Sequence, residues 1–182
     1  MDLPRATCRA TGGPVTHPAD EKGNGRPLMQ ELRQGNNRKT DVVILGCGRV
    51  GSRLATMMDS DGFDVTVIDT DGYAFRRLPD SFRGRTILGT GIDEDVLRRA
   101  GIEGAWTFIA VTNNDNPNIM AAQIAQEVFH VPEVLARVYD VERASMYAQL
   151  GLKTICPTAT IAQMFREQVT QRPGASGVPS GS

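Results

Sequence analysis

The sequence predicts an α/β protein built on one doubly wound, six-stranded parallel sheet with helices on both faces. Three observations predict it. Short apolar, β-branched runs alternate with helix-spaced segments from residue 41 to residue 169. The strand runs are near-continuously apolar, as strands covered on both faces are. The first strand runs straight into Gly46-Cys47-Gly48-Arg49-Val50-Gly51, a GxGxxG turn that opens a helix.

The elements follow in order. Asp41 to Leu45 (DVVIL) is the first strand, and Arg49 to Asp59 carries Val50, Leu54, Met57 and Met58 at helical spacing. Asp64 to Asp69 (DVTVID) is the second strand, followed by a short helix over Tyr73 to Leu78 and a third strand over Arg85 to Leu88. Asp93 to Ala100 has acids first, bases last and Gly101 beyond, the order a helix dipole and C-cap prefer. Ala105 to Val111 is the fourth strand. Pro117 to Phe129 is the strongest helix, with Met120, Ile124 and Val128 on one face and Ala121 and Ala125 widening it. Glu133 to Val138 is the fifth strand, Val141 to Leu150 a helix stopped by Gly151, Lys153 to Cys156 the sixth strand, and Thr158 to Val169 a final amphipathic helix. Six alternating strands make one Rossmann-like sheet. Residues 1–38, rich in proline and glycine and poor in aliphatic side chains, read as a flexible tail. Residues 39–172 read as the domain, and residues 173–182 (PGASGVPSGS) as a second, disordered tail.

Composition removes several classes. The 182 residues hold 20 Lys+Arg against 21 Asp+Glu, a net charge of −1 with no basic footprint for nucleic acid. The longest uncharged stretch, Thr154 to Phe165, is too short to span a bilayer. Cys8, Cys47 and Cys156 lie far apart without CxxC spacing, which argues against a zinc site or disulfide framework and for a reducing cytoplasm. No GxxxxGK[ST] loop is present. The two histidines, His17 and His130, fall in the tail and at a helix end, so no acid–base constellation for catalysis emerges.

The glycine turn carries the chemistry. Gly46 permits the tight bend, Gly48 lets a phosphate approach the backbone, and Gly51 lets helix and strand pack closely. The helix N-terminus presents unpaired N–H groups to an anion. Asp69 ends the next strand eighteen residues after Gly51, where a carboxylate accepts from both ribose hydroxyls and repels a 2′-phosphate. NAD or an adenosine nucleotide is therefore favoured and NADP disfavoured. Around this pair the candidate ligand-binding set comprises Cys47, Arg49, Val50, Thr70, Asp71, Gly89, Thr90, Thr112, Asn113 and Arg137. Arg49 either clamps a phosphate or faces solvent. Cys47 is either activated by the helix terminus or simply a small residue that fits. Asp71 either helps at the ribose or caps the next helix. Thr90 and Thr112 either contact adenine or ribose or merely turn the chain. Arg137, inside the fifth strand, either pairs with an acid at a subunit face or reaches the ligand phosphates.

The segments GCGRVG, VIDTD, LGTGIDEDVLRRAGIEGA, FIAVTNNDNPNIMAAQIAQE, VLARVYD and YAQLGLKTICPT resemble the regulator-of-potassium-conductance N-terminal domain, also called the Trk/Ktr N-terminal nucleotide-binding domain, over about residues 40–172. The resemblance implies a non-enzymatic sensor that binds ATP, ADP, NAD or NADH and controls a membrane potassium channel or transporter from the cytoplasmic face. It maps nucleotide contacts onto Gly46, Gly48, Gly51, Arg49 and Asp69. It also implies a homodimer formed through the final helix and assembled into a ring. Ile161, Met164 and Phe165 fit such an interface or packing on their own sheet. Two departures stand out. Thr90 occupies the second place of a Gly-Asp pair, so a contact or helix cap made by that acid is expected to be lost. No second ligand domain follows, so a function that needs one is not expected. The alternatives are an NAD(H)-dependent oxidoreductase module without its substrate domain, and a scaffold that only dimerises.

Overall fold

A computed structural model describes residues 40–170. The two tail expectations, with Cys8 and His17, lie outside the described residues. Six strands form one sheet: β1 (Val42–Leu45), β2 (Val65–Asp69), β3 (Arg85–Leu88), β4 (Thr107–Ala110), β5 (Glu133–Arg137) and β6 (Lys153–Ile155). Their order is β3-β2-β1-β4-β5-β6, and every neighbouring pair is parallel. β1 is flanked by β2 and β4, with Val42 opposite both Val65 and Thr107. The order reverses between β1 and β4, the switch point at which open α/β sheets form their ligand crevice, beyond the carboxyl ends of the strands.

The helices are α1 (Arg49–Ser60), α2 (Glu94–Arg99), α3 (Asp115–Gln123), α4 (Val141–Gln149) and α5 (Pro157–Thr170). The predicted short helix after β2 is a 3-10 segment over Gly72–Arg77. Alternate residues of β1 enter opposite cores. Val43 and Leu45 join Phe108, Ala122 and Ala136 on one face, while Val42 and Ile44 join Val65, Val67 and Ala55 on the other. This two-sided burial is what a parallel sheet with right-handed crossovers requires.

Local chemistry sets the helix ends. Asp93 accepts from the amides of Asp95 and Val96, Asn114 from Asn116, and Asp140 from Arg143. Each is an N-cap that satisfies first-turn donors. α1 differs, because its N-cap is Gly48 and supplies no side-chain acceptor. Gly101 and Gly151 end their helices at φ +83° and +91°, the left-handed region glycine enters without penalty.

The face expected on the strongest helix requires correction. Ala121 and Ala125 are buried as anticipated, but their buried companions are Asn118, Ile119 and Ala122. Met120 and Val128 are about half exposed, at 50% and 48%. The helix also begins at Asp115, two residues early. Beyond Gln123 it widens into a π-helical turn over Ile124–Val128, where Phe129 N–H donates to the Ile124 carbonyl at 3.2 Å. The buried residues Asn118, Ala121, Ala122 and Ala125 keep the i, i+3, i+4, i+7 spacing of a helix, so the period holds and the phase differs: this side, and not the side of Met120 and Val128, is turned inward. Small alanines also let the helix approach β4 and β5 closely.

α5 buries none of its residues, and Ile161, Met164, Phe165 and Val169 are 52–70% exposed. Of the two readings of its apolar face, packing of these side chains on their own sheet is therefore excluded.

Candidate nucleotide-binding site

Each glycine of the turn has its own physical reason. Gly46 sits at φ +103°, and a Cβ there would lie 2.9 Å from the Thr112 nitrogen. A Cβ on Gly51 would lie 1.8 Å from the Gly46 carbonyl oxygen, so α1 packs on β1 only because that atom is missing. Gly48 is different. Its φ is −73°, and a Cβ would meet nothing within 4 Å. Nothing in the protein's own packing or backbone conformation demands glycine there. The residue leaves an open cradle beside an uncapped helix N-terminus, where an anion would meet backbone N–H groups and the positive end of the dipole.

Asp69 closes the turn from the side. One carboxylate oxygen accepts the Cys47 amide at 2.6 Å, and the other accepts the Asp71 amide at 2.9 Å. The acid thus shapes the glycine loop as well as facing the crevice. Cys47 is fully buried, and burial together with the Asp69 charge pushes its thiol up to about 11, with Arg77 opposing. That leaves a protonated, unreactive thiol at neutral pH, which favours the small-residue reading over the activated one.

The remaining candidates divide by position. Arg49, Val50, Thr70 and Asn113 are exposed, and each follows the carboxyl end of β1, β2 or β4 in the chain. Asp71 caps the 3-10 segment by accepting the Tyr73 amide at 2.9 Å. Gly89 serves packing, since a Cβ there would lie 2.7 Å from a Val96 methyl. Thr90 is half-buried, and its carbonyl accepts the Asp93 amide at 3.3 Å. The N-cap of α2 is Asp93, three residues later, so the start of that helix does not depend on an acid at position 90.

Arg137 has partners within its own chain. Nη2 donates to the carbonyls of Val111 and Thr112, at the end of β4, and the guanidinium lies 4.9 Å from the centre of the Tyr139 ring. It pairs with no acid among the described residues, and its buried Nε has no hydrogen-bond partner.

Sequence reasoning missed Asn118. This fully buried amide accepts from Thr112 N–H at 2.9 Å and from the Thr112 hydroxyl at 2.7 Å. Its Nδ2 donates to the carbonyls of Thr112 and Arg137 at 3.0 and 2.9 Å. Both ends of the amide are thereby satisfied, which is what makes its burial tolerable. Asp115 was also missed. It accepts the amides of Tyr139 and Asp140 at 2.9 and 3.2 Å, joining the start of α3 to the start of α4. A signal was available for Asn118 alone: a polar side chain on the same helical side as Ala121, Ala122 and Ala125. Among the described residues no cluster of three or more His, Cys, Asp or Glu could hold a metal ion, and no helix is long and apolar enough to cross a membrane.

A doubly wound parallel sheet, a GxGxxG turn at its switch point and an acid ending β2 define a Rossmann-type domain of the dinucleotide-binding architecture. Residues 42–157 match the model of the TrkA-N domain, and the chain belongs to that family. It is 51% identical over 126 residues to the Trk system potassium uptake protein TrkA of Streptomyces coelicolor, covering 69% of this chain and 56% of that one. It is 42% identical over 106 residues to the protein of the same name from Halomonas elongata, covering 58% and 22%. The chain therefore spans about half or less of the length of these relatives. Among solved structures, the TrkA-N domain of the inner membrane protein ybaL from Escherichia coli superposes with a TM-score of 0.64 at 21% identity, over 72% of this chain and 97% of that one. GsuK bound to ADP superposes with a TM-score of 0.61 at 20% identity, covering 75% and 36%. The GsuK channel bound to NAD gives 0.56 at 16%, covering 71% and 24%. At these identities the structures establish the fold.

Proposed function

We propose that the crevice binds an adenine nucleotide, ATP/ADP or NAD/NADH, and that the domain is a non-enzymatic regulator of a membrane potassium channel or transporter. The observation that carries the reading is Gly48, a glycine with no internal reason to be one, beside the uncapped N-terminus of α1. Gly46, Gly48 and the first-turn amides of α1 hold the phosphates, with Arg49 and Val50 at the mouth. Asp69, with Thr70 nearby, receives the ribose hydroxyls and disfavours the 2′-phosphate of NADP. Thr112 and Asn113 line the opposite side. Solved relatives by fold carry ADP and NAD in their names, which supports a nucleotide without choosing one. The potassium assignment draws on the family and on the TrkA relatives. Regulation places the domain at the cytoplasmic face, as a homodimer joined through α5 and assembled into a ring.

Thermal denaturation of the chain with ATP, ADP, NAD, NADH and NADPH tests the reading. A ligand at about 100 times its dissociation constant adds about 2.7 kcal/mol of stability. The expected result is a clear upward shift with at least one of the first four and none with NADPH. No shift with any of them contradicts the nucleotide assignment.

A further inference from the structure

One residue touches the crevice floor and two helix starts at once. The Tyr139 ring lies under the Arg137 guanidinium, which donates to the Val111 and Thr112 carbonyls behind the glycine turn. The same stretch is held by the buried Asn118 amide, which spans Thr112 and the Arg137 carbonyl. The Tyr139 amide donates to Asp115 at the start of α3, at 2.9 Å. Its carbonyl accepts the Cys156 thiol at 3.4 Å. The Cys156 carbonyl in turn accepts the amide and hydroxyl of Thr160, in the first turn of α5, at 3.0 and 2.9 Å. α5 buries none of its residues, so its seating depends on few contacts beyond this anchor. Weakly anchored elements of this kind are the ones a small bias can move.

We propose that Tyr139 is a positioning residue that couples occupancy of the crevice to the seating of α5, the helix whose apolar face is open. The proposal rests on the nucleotide reading of the crevice. A ligand that orders Thr112 and the glycine turn fixes Arg137, Arg137 fixes the Tyr139 ring, and the Tyr139 carbonyl fixes the segment that launches α5. Such a ligand shifts α5 only by as much as its affinity differs between the two seatings. Coupling is a property of two sites, so the test reads both ends.

The test uses the full chain with ATP, ADP, NAD and NADH, each separately. Melting temperature reads binding. The rate of Cys156 alkylation by N-ethylmaleimide, resolved by peptide mass from Cys8 and Cys47, reads the α5 anchor. The nucleotide that raises the melting temperature is expected to slow Cys156 labelling about five-fold or more. Tyr139→Leu, at a position 40% exposed, is expected to keep the melting shift and lose the slowing, while Tyr139→Phe keeps both. Slowing that persists in Tyr139→Leu overturns the proposal, as does a bound nucleotide that leaves wild-type Cys156 labelling unchanged. A wild-type melting temperature that rises with none of the four overturns the crevice reading and this proposal with it.

Discussion

The glycine turn separates two kinds of constraint at the level of single atoms. Gly51 is fixed from inside, by a contact that would place a Cβ 1.8 Å from a backbone oxygen. Gly51→Ala is expected to cost more than about 3 kcal/mol in chemical denaturation, because neither partner is a flexible side chain. The Cys47 thiol gives a pH prediction. Its folded value of about 11 lies above its ordinary value of 9.0, so the unfolded chain releases this proton first. The stabilising contribution is complete below pH 9 and declines as pH rises toward 11. Cys47→Ala removes that part of the alkaline loss, which a stability–pH profile over this window measures. Asp69 is a poorer probe of binding than the sequence suggests. Its two amide bonds to the loop mean that Asp69→Ala disturbs the turn as well as the ribose contact.

At the level of elements, strands and caps were legible and phase was not. The register of alternating strands and helices, the glycine turn and Asp69 all follow from patterns confined to a few neighbouring residues. The α3 face did not follow, because Met120 and Val128 offer one helical stripe and Asn118, Ala121, Ala122 and Ala125 another, and only packing on the sheet selects the second. Arg137 illustrates the other limit. A charge inside a strand announces a role, but its acceptors lie 25 and 26 residues away on β4's end, and only the three-dimensional fold brings them together. Beyond the π turn, His130 holds φ +52°, a left-handed position normally taken by glycine. His130→Gly is expected to stabilise the protein by about 0.5–1 kcal/mol, read as a rise in denaturation midpoint. Unchanged or lower stability would show that the imidazole contributes more than its backbone costs.

For the whole molecule, the two ends of the design are the crevice at the switch point and the bare face of α5. The proposed dimer joins them, since a regulator needs a ligand site and a surface that responds. Phe165, 70% exposed on that face, is the natural anchor of the interface. Phe165→Glu is expected to weaken self-association about 100-fold in sedimentation equilibrium while leaving nucleotide binding intact. The crevice itself is the central claim, and Gly48 isolates it, because an added methyl meets no protein atom and no forbidden φ. The decisive measurement is calorimetric titration of ADP and NAD into the wild type and Gly48→Ala, with the denaturation midpoint of each. The account predicts stability unchanged within about 1 kcal/mol and affinity for the bound nucleotide lowered about tenfold or more. Equal affinity in the two proteins would place the ligand elsewhere and contradict the assignment of the glycine turn.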